Sequence, residues 1–234
     1  HCQAITITFD SEDSLIDSFI PADYFQVGFR ESRLSAFKKA LMWTKCKARI
    51  EANGAIHVFN PTISGTTYNY EYNDSASEHN FFEKSVRNRL IIPNRVYVKS
   101  HPDQGSYTGS DSDTTSYNAL GRYIDEFNLL RVTSNTQATS IATAILQHYQ
   151  VGQERGHGLV SLNCGQEVMD YIKFTDSVAN DTRTGNIGFI QRNCEPGKFM
   201  MALRFGTLEM SAIAGILPPE VYSTVVDRTL NTSE

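Results

Sequence analysis

The sequence predicts an α+β chain rich in β-structure. Three observations carry this prediction. Most segments show the two-residue alternation of strands. Two segments change to the 3.6-residue period of an amphipathic helix. Strands and helices do not alternate one for one, as a doubly wound parallel sheet would require.

Ala4-Ile5-Thr6-Ile7-Thr8-Phe9 has a strand pattern. It lies in an acidic stretch in which Asp10, Glu12, Asp13, Asp17, Asp23 and Glu31 are offset only by Arg30, which reads as a solvated face. Ser32 is placed to cap a helix of about 12 residues, with Leu34, Phe37 and Leu41 as its apolar stripe and Trp43 closing it. Cys46 to Phe59 reads as a hairpin around Asn53-Gly54. A two-residue loop would set Ile50 against His57. A three-residue loop, Ala52-Asn53-Gly54 with Gly54 left-handed, sets Ile50 against Ile56 and Ala48 against Val58, which keeps apolar side chains on one face.

Thr66 to Asn73 places Tyr68, Tyr70 and Tyr72 on one strand face. Arg89–Ile92 and Arg95–Ser100 read as strands broken at Pro93-Asn94. Residues 102–118 contain Gly105, Gly109, Asp111, Asp113 and several Ser and Thr. They are expected to form a long exposed loop, mobile or held in an assembly contact. Ser134 to Gln150 has the helical period, with Ala138, Ile141, Ala142, Ile145 and Tyr149 on one side. Strands follow at Leu159–Asn163, Val168–Thr175, Ile187–Arg192 and Phe199–Phe205. Pro218-Pro219 can start a short terminal helix.

The 234 residues carry a formal charge of −5, which argues against a nucleic-acid coat. No apolar run reaches the roughly 20 residues of a membrane span. Cys2, Cys46, Cys164 and Cys194 are too sparse for a disulfide scaffold and form no Cys-x-x-Cys pair for zinc. Phosphate loops, dinucleotide glycine motifs, nucleophile elbows and His-Glu-x-x-His are missing. His157 and Cys164 lie near each other in sequence without a third group to orient them. Asp111, Asp113 and Ser116 resemble a fragment of a calcium loop that lacks its glycine and distal Glu. The sequence therefore assigns no catalytic, cofactor-binding or metal-binding residue.

Three stretches carry a family resemblance. The first runs from Ala36-Phe37-Lys38-Lys39-Ala40 through Trp43 and the hairpin to Val58. The second is Leu90-Ile91-Ile92-Pro93-Asn94-Arg95-Val96-Tyr97-Val98. The third runs from Asn163-Cys164-Gly165-Gln166 through Thr184-Gly185-Asn186 to Leu203-Arg204-Phe205-Gly206. In this order they resemble the bacteriophage tail hub (baseplate hub) proteins. The resemblance implies a tube-like antiparallel β-barrel at 81–212 with one amphipathic helix, 134–150, inserted. It implies a helix-plus-hairpin segment within an acidic 1–80 before the barrel and a tail at 213–234 after it.

The function implied is that of a non-enzymatic structural component of the tail tip, made in the host cytoplasm and located in the virion. Its subunits would form a trimeric or hexameric ring at the distal end of the tail tube. Other tail proteins would be its partners, and DNA would pass through the lumen without specific binding. The acidic total charge suits such a channel.

The alternative is a secreted β-rich carbohydrate-active enzyme or carbohydrate-binding domain. Its site would be the Tyr68, Tyr70 and Tyr72 face, or a copper centre at His1 like that of the lytic polysaccharide monooxygenases. His57, His79, His101, His148 and His157 could supply the second imidazole, though none lies in a motif of that family. His1 is either a mature N-terminus or a fragment boundary.

Overall fold

The computed structural model describes residues 6–9, 28, 32–51, 53–74, 79–88, 90–103 and 105–206. The acidic run between Asp10 and Glu31, His1, and the expected terminal helix and tail lie essentially outside the described residues.

Twelve strands and three helices follow in chain order among them. A short strand β1 (Ile7–Phe9) precedes helix α1 (Arg33–Leu41). Ser32 caps α1 as expected: its hydroxyl accepts from the Ser35 N–H at 3.1 Å. The hairpin β2 (Lys47–Ile50) and β3 (Ile56–Phe59) has the register of the three-residue loop, Ile50 opposite Ile56 and Ala48 opposite Val58. Gly54 is left-handed at φ +81°. An added Cβ there would meet no atom within 4 Å. Gly54→Ala is therefore expected to cost about 1 kcal/mol from backbone conformation alone, read as a small fall in thermal midpoint. β1 joins β3 in parallel to complete a three-stranded sheet.

The main sheet has six strands in the order β4-β10-β11-β12-β9-β5. They are β4 (Tyr70–Asn73), β5 (Phe81–Asn88), β9 (Glu154–Ser161), β10 (Tyr171–Asp176), β11 (Asp181–Glu195) and β12 (Lys198–Phe205). β4 and β5 stand at opposite edges, yet Asn73 bridges Asn80, so the sheet curls until its edges meet at one end. The inner face buries Tyr72, Val160, Ile172, Phe174, Ile187, Met201, Leu203 and Phe205. The alternation expected of Met201, Leu203 and Phe205 is thus a core face, whereas Phe199 at its end is exposed.

Between β5 and β9, which are hydrogen-bonded neighbours, the chain builds a separate unit. It contains β6 (Arg95–Ser100), β7 (Thr108–Ser112), α2 (Thr114–Leu120), β8 (Asp125–Leu130) and α3 (Asn135–Val151). Its sheet has the order β7-β6-β8. Its core joins Val96, Val98, Leu130 and Val132 to Ala138, Ile141, Ala142 and Ile145 of α3. The helix expected at 134–150 is present, but it arrives with three strands and a second helix. It is also covered on more than one side. Gln147, a polar residue of this helix, is buried and donates to Asn60 Oδ1 at 3.0 Å, because the segment after β3 packs there.

Other expectations differ from the structure. Residues 102–118 do not form one open loop: 108–112 are β7 and 114–120 are α2. Their small polar residues are structural. A Cβ at Gly109 would collide with the backbone of Ala138 and Thr139, so glycine lets β7 lie directly on α3. The Asp113 carboxylate caps α2 by accepting from Ser116 N–H at 2.7 Å. The buried Ser116 hydroxyl accepts from Ile91 N–H at 2.8 Å.

The strand expected at Arg89–Ile92 lies earlier, as β5. Finally, pairing is not wholly antiparallel: β1 with β3, β4 with β10 and β6 with β8 are parallel. β4, counted with the N-terminal segment in the sequence, belongs to the main sheet.

Candidate assembly surfaces

The residues singled out for chemistry are occupied in other ways. His157 is exposed on β9 and faces Glu83 Oε1 at 3.4 Å. Cys164 is exposed in the following loop, where its carbonyl accepts from the Arg192 guanidinium. Asp111 accepts from Ser112 N–H, and Asp113 and Ser116 serve α2 as above. Among the described residues no group of three or more His, Cys, Asp or Glu could hold a metal ion. Tyr68, Tyr70 and Tyr72 do not share one exposed face. Tyr72 is fully buried against Phe174, with ring centroids 5.3 Å apart, and Tyr68 stacks on Tyr171 at 5.4 Å. Burial pushes the Tyr72 phenol up to about 12, and its hydroxyl donates to the buried Gln166 at 3.0 Å. His1 lies outside the described residues.

Two exposed surfaces stand out among the described residues. The first is an edge of β11. Strand β10 pairs with β11 only from Asp181 to Asn186. Beyond Ile187, no strand among the described residues occupies that side, and residues 191–199 are all exposed. The other side of β11 pairs with β12 as far as Glu195 opposite Lys198. Pro196-Gly197 turns the chain, with Gly197 at φ +78°. An edge of this kind presents unpaired N–H and C=O groups to another strand.

The loop before β10 holds this edge in place. Arg192 donates to the carbonyls of Cys164 and Gln166. Gln166 donates to Asp170 at 2.8 Å. Arg49 of the hairpin pairs with both Glu167 and Asp170. On its other side, Arg49 donates to Glu51 at 2.9 Å, and this bond with that of His57 holds the Glu51 carboxyl below the usual carboxylate range.

The second surface is the outer face of β7-β6-β8. Register places Arg95, Tyr97 and Lys99 beside Asp125, Phe127 and Leu129. Tyr97 and Phe127 stack with planes 8° apart and centroids at 5.2 Å. The Arg95 guanidinium lies 4.8 Å from the Tyr97 ring and 4.0 Å from that of Tyr123. It donates to both Asp125 oxygens, at 2.7 and 2.9 Å, which holds the Asp125 carboxyl below its ordinary range. Tyr123 stacks on Tyr117 at 4.2 Å. Phe127 is 75% exposed, although it sits in this ordered row. Exposed, preorganised Tyr, Phe and Arg are the side chains that dominate protein interfaces.

This architecture matches solved structures. A tail protein from Neisseria meningitidis MC58 superposes with a TM-score of 0.59 at 8% identity, over 86% of this chain and 61% of that one. The 43 kDa tail protein of prophage MuSo2 from Shewanella oneidensis gives 0.55 at 11% identity, over 86% of this chain and 59% of that one. The chain has a phage tail-protein fold.

It spans about three fifths of the length of these two tail proteins. No family model and no curated protein matches the sequence. The resemblance in the sequence and the likeness in structure thus agree on a tail-protein fold, and the curled six-stranded sheet stands where a tube-like barrel was expected.

Proposed function

We propose that the chain is a non-enzymatic structural subunit of a phage tail tip, a baseplate-hub component that forms a ring at the distal end of the tail tube. The observation that carries this reading is the tail-protein fold together with a β11 edge that no described strand pairs. A ring subunit needs two surfaces that meet their counterparts around an axis. The β11 edge and the aromatic face of β7-β6-β8 supply candidates. The curled main sheet with its inserted helix is the tube-like unit, and the helix-plus-hairpin segment precedes it. Other tail proteins would be partners, and the −5 charge suits a lumen that DNA traverses without adhering.

Light scattering on the eluted protein tests the reading. The expected result is a trimer or hexamer. Phe127→Glu and Cys194→Glu change exposed side chains, so each should leave the thermal midpoint nearly unchanged while shifting the protein toward monomer. A natural chain that stays monomeric at high concentration, with no ring by electron microscopy, would count against it.

A further inference from the structure

A cleft of about 680 Å³ lies between α1, β2, residues 90–92 and the C-terminal half of α3. That volume is within the roughly 300–1,000 Å³ of ligand pockets. Its walls are mostly apolar: Phe37, Leu41, Met42, Leu90, Ile91 and Ile145 contribute to them. Lys47 also lines it and is partly buried. No carboxylate among the described residues forms an ion pair with Lys47, and desolvation alone draws its ammonium down to about 8. An ammonium partly withdrawn from water is stabilised by an anion that meets it.

The other polar groups of the cleft do not meet it. His148 donates through Nε2 to the Thr44 carbonyl at 2.8 Å. Burial, and then the charge of Lys47, hold it neutral with a pKa of about 4. Glu126 is the only carboxylate lining the cleft among the described residues. Its oxygens accept from the Tyr149 hydroxyl at 2.6 Å and the Asn128 amide at 3.0 Å. Lys38 also lines the cleft.

We propose that this cleft binds an alkyl carboxylate, with its chain against the apolar walls and its head group on the Lys47 ammonium. The apolar area favours the chain by burial. The ammonium selects a carboxylate over a neutral head group through a charge-assisted hydrogen bond. This inference is independent of the tail-tip reading, because it needs neither a ring nor a partner chain.

Calorimetry of the full chain at pH 7 with octanoate, 1-octanol and acetate tests it. Octanoate is expected to saturate one site, about tenfold more tightly than octanol. Acetate, without the chain, should give no saturable heat. Lys47→Met replaces the ammonium by an apolar group of similar length and should erase the octanoate–octanol difference while keeping octanol binding. As a second readout on the natural chain, octanoate should shift the methyl resonances of Leu41 and Ile145. Absence of saturable octanoate binding overturns the proposal. So does equal affinity for octanoate and octanol, or an unchanged preference in Lys47→Met.

Discussion

Replacing Phe174 with Ala is expected to lower the unfolding free energy by roughly 3–5 kcal/mol. Phe174 is fully buried at the centre of the curled sheet. It stacks on Tyr72 and meets Phe81 and Phe205 edge-on at 5.7 and 5.5 Å. These partners come from β4, β5 and β12, so no single strand can move to fill the space. Opposite the ring, Gly158 of β9 leaves no room: an added Cβ would stand 2.7 Å from Phe174 Cζ. The ring is therefore seated on bare backbone, and the cavity left by Ala would persist. Urea unfolding should show a lower midpoint with an unchanged slope. A loss under about 1 kcal/mol would mean that the cluster collapses and that the aromatic contacts are not the main support of the sheet.

Lowering the pH from about 6.5 to about 4 is expected to remove roughly 3 kcal/mol of stability through His148 alone. An imidazole in the unfolded chain titrates near 6.5, and in the fold it is lowered to about 4. Between those values the unfolded state binds a proton that the folded state refuses. Stability therefore falls as the pH drops through this window and levels off below it for this group. The first cause is burial on α3, and the second is the Lys47 charge.

His148→Gln should flatten the pH dependence in this window, because the amide can still donate to the Thr44 carbonyl without titrating. Lys47→Met should flatten it in part by removing the second cause. The carboxylates of Glu51, Asp125 and Asp181 are held below their usual range, so their contribution is lost at lower pH still. A His148→Gln profile parallel to that of the natural chain would refute the assignment.

Local features were legible in the sequence where neighbours along the chain decide them. Ser32 caps its helix, Gly54 sets the hairpin register, and the period of 134–150 is that of α3. What depended on distant residues was not. Nothing near Gly109 shows that a helix 30 residues later will press on it, so a glycine required by packing reads as one in a loop. Asp113 and Ser116 have capping spacing but lie among so many Ser and Thr that a short helix is hidden. The parallel pairs join strands with no turn between them to fix register. Of the candidate surfaces, the aromatic row was invisible because Arg95, Tyr117, Tyr123 and Phe127 come from three elements and a connecting turn. The cleft was missed for the same reason: Lys47 and His148 are a hundred positions apart in the sequence.

The unit held between β5 and β9 has a consequence for how the chain reaches this state. Asn88 and Glu154 are paired neighbours with 65 residues between them. Joining them across a flexible segment of that length would cost roughly 4 kcal/mol of chain entropy. Once β6, β7, β8 and α3 have assembled on contacts of their own, the same two ends emerge side by side from a compact body. The effective loop then shrinks to a few residues, and closing the main sheet no longer bears the entropy of the long span. The insertion would then act as an internal cross-link without a covalent bond, and the expected order of events is the inner unit first, the surrounding sheet second. Hydrogen exchange during refolding should show it as protection of Val96, Val98 and Ile141 before that of Val160 and Leu203.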